Sequence, residues 1–342
     1  MRSWNAISFC CPSKTMPHIE RVSQNWSGTP GNVKSVLIVG ADSTIGRGLL
    51  AAFEATAISV WSTSRRNRGP GPRHLLLDLS QSTDDWMLPS SPVDVAFLCA
   101  AVTSQAQCES DPEATHEVNV EKTCALAKEL TAAGTFVVFI STSLVLDGQT
   151  PYANTKQSIN PQTIYGRQKA EAEQYLLGLG DAVAVVRFGK VIAPGAPLFE
   201  NWATDLRAGK IIHPFSDMVI APVALPFAVE VLRRVAQMQC PGILQASAAN
   251  DITYAEAAQI IAKNVGADPA LVVPVSRLQT AGLFSPRHTT FDAEGLTALG
   301  LVSPPSARAF GHFSSMHLAR DESLANSASA ASSIPLLFPP RT

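Results

Sequence analysis

With 342 residues, 46% hydrophobic and 16% charged, the chain can bury one large core or two modest ones. Its formal net charge of −2 argues against a protein that coats nucleic acid, and no stretch approaches the roughly 18 apolar residues that a membrane span needs. The six cysteines (Cys10, Cys11, Cys99, Cys108, Cys124 and Cys240) form no Cys-x-x-Cys pair and no Cys/His ligand spacing, so nothing supports a metal site; the expected compartment is reducing and cytoplasmic.

Residues 1–33 mix Ser, Pro, Asn and Gly without periodicity, and 311–342 do the same; both are expected to lack fixed structure. Between them strands and helices alternate, which predicts a Rossmann-type doubly wound parallel α/β sheet. Strand one is read at Ser35–Val39 and its helix runs from Gly46 to about Ala55. Strands two and three follow at Ala57–Ser62 and His74–Leu77. Val93–Cys99 is a continuous apolar run, as a strand buried on both faces should be. Pro112 opens a helix that Gly134 closes, and Phe136–Ile140 is strand five. A helix carries Tyr165 and ends at Gly178, before strand six at Ala182–Val186. After Arg187 the prolines at 194, 197, 214, 222 and 226 cut the chain into short pieces, with helices near 226–238 and 253–265. This division gives a cofactor domain over 34–190 and a smaller C-terminal substrate lobe over 191–310. The lobe should lie beyond the carboxyl ends of the strands, where open α/β sheets bind ligands.

Three features carry chemistry. Gly40 and Gly46, with Ser43, Thr44 and Ile45 between them, turn an apolar strand into a helix, as a dinucleotide pyrophosphate requires. Ser141-Thr142-Ser143 ends a strand in hydroxyls, one of which can hold an oxygen that receives a proton. Tyr165 and Lys169 lie one helical turn apart, and an ammonium beside a phenol favours the phenolate. Each feature alone has a plain alternative: a tight turn, a strand-end cap, an aromatic packed on a lysine stem. In this order they suit a nicotinamide-dependent carbonyl reductase.

The chain resembles the extended short-chain dehydrogenase/reductases, and within them the dTDP-4-dehydrorhamnose reductase group. The resemblance covers roughly 34–310 and rests on Gly40 and Gly46, Asp78-Leu79-Ser80, Cys99-Ala100-Ala101, Cys108 to Pro112 and Val118-Asn119-Val120. It continues in Ile140 to Ser143, Val145 to Gly148 and Tyr165 to Lys169. It implies reduction of a 4-keto nucleotide sugar. Tyr165 would protonate the substrate carbonyl oxygen, Thr142 would hydrogen-bond it, and Lys169 would depress the Tyr165 pKa and hold the nicotinamide ribose. Gly40 and Gly46 would line the pyrophosphate turn, Asp78 and Leu79 would flank the adenine, and Ala100 and Ala101 would lie beneath the cofactor. The helices around 112–133 and 162–178 resemble those through which many members form homodimers.

Three departures bear on the substrate. Ser43 stands where the family has its middle glycine. Ser143-Leu144 replaces an acid and an aromatic beside the site, and the family's acidic pair is replaced around Pro151 to Lys156. Lack of an Asp-Glu pair after Thr142 disfavours a 4,6-dehydratase. A nucleotide-sugar epimerase remains open, as does a non-catalytic role like that of the methionine adenosyltransferase regulatory subunit. No carboxylate ends strand two, which instead reads Ser64-Arg65-Arg66. A guanidinium grips a 2′-phosphate that a carboxylate would repel, with Ser64 adding a hydrogen bond. NADPH is therefore the expected cofactor and NADH the alternative. The alternative for Arg65, Arg66 and Arg68 is a solvated loop.

Overall fold

The computed structural model describes residues 31–66, 71–277 and 284–314. Most of the two expected unstructured ends, and Arg68, lie outside the described residues. In chain order the first half contains β1 (Ser35–Val39), α1 (Thr44–Glu54), β2 (Ser59–Ser64), β3 (His74–Leu76) and β4 (Val95–Leu98). Then come α2 (Gln105–Ser110), α3 (Pro112–His116), a π-helical turn at Glu117–Lys122, α4 (Thr123–Ala132), β5 (Phe136–Thr142), α5 (Ile164–Leu177) and β6 (Val183–Phe188). The second half adds β7 (Val191–Ile192), α6 (Pro197–Arg207), β8 (Val219–Ile220), β9 (Val223–Ala224) and α7 (Leu225–Met238). It ends with β10 (Gly242–Ala246), β11 (Ile252–Thr253), α8 (Tyr254–Val265), α9 (Glu294–Ala298) and a 3₁₀ segment at Ser306–Phe313.

Seven strands form one parallel sheet in the order β10-β6-β5-β4-β1-β2-β3. The strand order reverses between β1 and β4, the switch point whose carboxyl ends are where open α/β sheets bind ligands. Val36 and Ile38 of β1 face a core with Leu49 and Phe53 of α1 and Leu232 and Val235 of α7. Leu37 and Val39 face the opposite core, with Leu126 and Leu130 of α4 and Leu176 of α5. Apolar side chains on both faces explain why these strands read as unbroken hydrophobic runs.

The second half is less self-contained than its proline content suggests. Helix α7 packs on the sheet, and β10 adds its seventh strand by pairing with β6 from Gly242↔Ala184 to Ala246↔Phe188. Neither this strand nor α6 stood out in the sequence. Pro197 occupies the first turn of α6, where a missing N–H costs nothing, so it starts a helix instead of breaking one. The lobe proper is built from α6, α8 and the 3₁₀ segment around Phe199, Ile261, Phe310 and Phe313. Phe313 is buried, so the packed lobe extends past the point where the unstructured tail was expected.

Candidate active site

The turn from β1 into α1 is shaped by close approach. Gly40 has φ +79°, and a Cβ there would sit 2.7 Å from the backbone nitrogen of Ala100. A Cβ on Gly46 would sit 2.2 Å from the Gly40 carbonyl oxygen, so neither position admits a side chain without moving backbone. The Ser43 hydroxyl accepts a hydrogen bond from the Gly46 N–H at 3.0 Å and caps α1. The serine that replaces a family glycine thus serves the helix start. Thr44 and Ile45 form the first turn, where α1 presents the positive end of its dipole. Thr63, which the sequence did not single out, supports this turn. It is buried in β2, and its side chain and carbonyl accept from the N–H groups of Gly40 and Ala41 at 3.2 and 2.8 Å.

At the end of β2 the Arg65 and Arg66 side chains are exposed, while Ser64 is buried. The Ser64 hydroxyl donates to the Arg66 carbonyl and lies 3.0 Å from His74 Nε2, whose Nδ1 is 2.9 Å from the Ser62 hydroxyl. The Ser64 proton thus closes the turn that carries the arginines. Asp78 accepts from the backbone and hydroxyl of Ser80 at 2.9 and 2.8 Å, and Leu79 is buried in the α4/α5 core. Both occupy structural places near the edge of the sheet. Ala100 and Ala101 are half-buried at the end of β4, where Ala100 touches the Gly40 turn.

The catalytic candidates converge at the end of β5. Thr163 caps α5 by accepting from the Gly166 N–H at 3.0 Å. A Cβ on Gly166 would lie 2.2 Å from the Leu144 carbonyl oxygen, so this glycine presses the first turn of α5, with Tyr165, against the chain just after Thr142. Thr142 Oγ1 accepts from the Leu144 N–H at 3.3 Å, which leaves its proton available to donate. Lys169 is buried, donates to the Ile140 carbonyl at 2.6 Å and stands 3.7 Å from the Phe139 ring centroid.

The electrostatics differ from the expectation. Burial, with a smaller contribution from Cys108, pushes the Tyr165 phenol up instead of Lys169 pulling it down. Burial also draws the Lys169 ammonium down to about 7, opposed first by the Glu173 carboxylate.

A second latch went unread in the sequence. Asn119, within the π-helical turn, accepts from Val102 N–H at 2.8 Å and donates to Val102 O and Gln168 Oε1 at 3.0 and 2.8 Å. Gln168 donates onward to Thr115 Oγ1 at 2.9 Å. The loop after β4 is thereby tied to α5, and the local π geometry aims Asn119 inward.

A glycine turn at the switch point of a parallel sheet, together with a strand-end threonine and a helix-borne Tyr/Lys pair, defines a Rossmann-type α/β protein. Residues 34–310 match the family described as RmlD substrate binding domain, and the chain belongs to that family. It is similar to the methionine adenosyltransferase 2 subunit beta of Bos taurus, with 27% identity over 282 residues, 78% of this chain and 83% of that one. It is also similar to the dTDP-4-dehydrorhamnose reductase of Mycolicibacterium smegmatis, 33% identical over 187 residues, 53% of this chain and 57% of that one. Among solved structures, the dTDP-4-dehydrorhamnose reductase of Bacillus anthracis in complex with NADP shares the fold. Its TM-score is 0.72 and its identity 18%, covering 82% of this chain and 98% of that one. Among the described residues no helix is long and apolar enough to cross a membrane.

Proposed function

We propose that the protein reduces a 4-keto nucleotide sugar with NADPH, using Tyr165 as proton donor. The residues present fit a dinucleotide: the turn between Gly40 and Gly46 is a cradle that a Cβ would fill, and it sits at a helix N-terminus. In this reading the N–H groups of Thr44 and Ile45 at the start of α1 hold the pyrophosphate and Arg65 takes the 2′-phosphate. Asp78 and Leu79 border the adenine, Ala100 and Ala101 lie beneath the cofactor, and Lys169 holds the nicotinamide ribose. Bound NADPH supplies the hydride. Thr142 donates to the substrate carbonyl oxygen and stabilises the charge that develops there. Tyr165 gives that oxygen its proton. A phenol raised by burial is fully protonated at neutral pH, and a developing alkoxide is still the stronger base. The reading also divides the work, with the sheet holding the cofactor and the lobe around α6 and α8 choosing the sugar. It further pairs two copies through the outer faces of α4 and α5, so light scattering should report a dimer.

The observation that carries the proposal is Lys169 buried one turn from Tyr165, with Gly166 pressing that turn against the chain after Thr142. Purified protein tested for NADPH oxidation against a panel of 4-keto nucleotide sugars should turn over at least one. Tight NADPH binding without turnover would instead support a cofactor-binding regulatory subunit, the reading favoured by the extent of the match to the Bos taurus protein.

A further inference from the structure

Directly below Tyr165 and Lys169, the same face of α5 carries a third group the chemistry has not used. Glu173 lies one turn beyond Lys169 and is completely buried. Its carboxylate accepts two bonds from Arg187 Nε, at 3.0 and 3.1 Å, one from Arg187 Nη2 at 2.6 Å, and one from the Ser141 hydroxyl. Arg187 is itself 1% exposed, sits in register with Ser141 across β5 and β6, and its Nη1 has no partner among the described residues. The guanidinium therefore depends on Glu173. A buried ion pair of this kind is weak evidence for stability, since apolar replacements often serve as well.

The placement suggests what it does instead. Three consecutive residues of β5 each engage a different group: the Ile140 carbonyl takes Lys169, the Ser141 hydroxyl takes Glu173, and the Thr142 hydroxyl takes the Leu144 N–H. Groups from each neighbouring element face the Lys169 ammonium. They are Cys99 at the end of β4, Cys124 on α4, the Phe139 ring and Ile140 carbonyl on β5, Glu173 on α5, and Arg187 on β6 behind Glu173; Tyr165 lies one helical turn before Lys169. Burial raises both thiols to about 12, so they are neutral beside it, and the phenol is neutral as well. Of these groups, the Glu173 carboxylate is the one that most favours the Lys169 ammonium.

We propose that Glu173, fixed by Arg187 and Ser141, is a positioning residue that holds α5 in register on β5 and so places Lys169 for the cofactor ribose. Its carboxylate, one turn away, also favours the ammonium over the neutral amine. The proposal rests on the reductase reading of Lys169, and the test separates the two. The dissociation constant of NADPH is measured by fluorescence from pH 5 to 10, without substrate. In the unchanged protein, affinity should fall as Lys169 loses its proton, and Lys169→Met should abolish that dependence. If it persists in Lys169→Met, the role given to Lys169 fails whatever Glu173 does.

Glu173→Gln should move the midpoint down by about one pH unit, and Glu173→Asp, which keeps the charge, should restore most of it. Where Glu173→Gln strands Arg187 and does not fold, the double variant E173Q/R187M leaves no unpaired charge and should show a smaller shift in the same direction. A midpoint equal to that of the unchanged protein in the folded variant, with only thermal stability lowered, would overturn the proposal and leave the pair a structural clamp.

Discussion

The two ends of the candidate site are built on opposite principles. At the turn from β1 to α1, backbone does the work: two glycines sit where no Cβ fits, and N–H groups are presented by a helix start. At the junction of β5 and α5, ionisable side chains do it: Tyr165, Lys169 and Glu173 line one helix face, and Lys169, Glu173 and Arg187 are buried. The first end should be sensitive to volume and indifferent to pH. The second shares that tightness at Gly166 but should also respond to changes of charge, which the first ignores.

The largest effect is expected at the charged end. Tyr165→Phe removes one hydroxyl and should cut turnover by about 10²–10⁴ while leaving NADPH affinity and thermal stability close to their original values. Turnover at the original rate in this variant would remove Tyr165 as the proton donor. At the backbone end the matching experiment is Gly46→Ala. The added methyl meets the Gly40 carbonyl oxygen, so the turn must shift; NADPH binding should weaken at least tenfold and stability fall by about 1–3 kcal/mol, equally across pH. Calorimetry at two pH values checks both claims.

Lys169→Met sharpens the contrast through its sign. Burial lowers this lysine from its ordinary 10.5 to about 7, so between those values the unfolded chain holds the extra proton and stability rises with pH. Below about pH 7 both states are protonated and the full cost of burying the ammonium is present. Replacing it by methionine should stabilise the cofactor-free protein near neutral pH, on the order of 1–3 kcal/mol after loss of the Ile140 hydrogen bond and the Phe139 contact, and flatten that slope. Denaturant melts at pH 7 and pH 10 measure it; an unchanged slope would mean that Lys169 is not the group responsible.

What the sequence disclosed follows the same division. Gly40, Gly46 and the apolar run through β4 announce themselves because a turn without Cβ atoms and a strand buried on both faces are local properties. Glu173 and Arg187 do not, since each looks like an ordinary polar residue until β5, β6 and α5 are assembled. The Asn119 and Gln168 latch is hidden likewise, its partners lying far apart in the chain. The Tyr/Lys spacing was legible, but the direction of the Tyr165 shift was not: it depends on how deeply the helix start is packed, which spacing does not encode. In the second half, prolines read as breaks hid α6, because Pro197 at a helix start and a proline in a loop look alike in sequence.

Arg65 is the exception that tests the division, a charged group at the backbone end. It is exposed, with its neighbour Arg66, on the turn that Ser64 closes and His74 braces. An exposed guanidinium is screened by salt, so its effect should be the smallest of the set and the most dependent on ionic strength. If it grips the 2′-phosphate, Arg65→Ala should raise the NADPH dissociation constant about tenfold at low salt and leave that for NADH nearly unchanged. The difference should narrow as salt is raised, which neither Gly46→Ala nor Tyr165→Phe should show. Equal weakening of both cofactors would mean that Arg65 shapes the turn instead of reading the phosphate. A protein that prefers NADH from the outset would leave the arginines as a solvated loop.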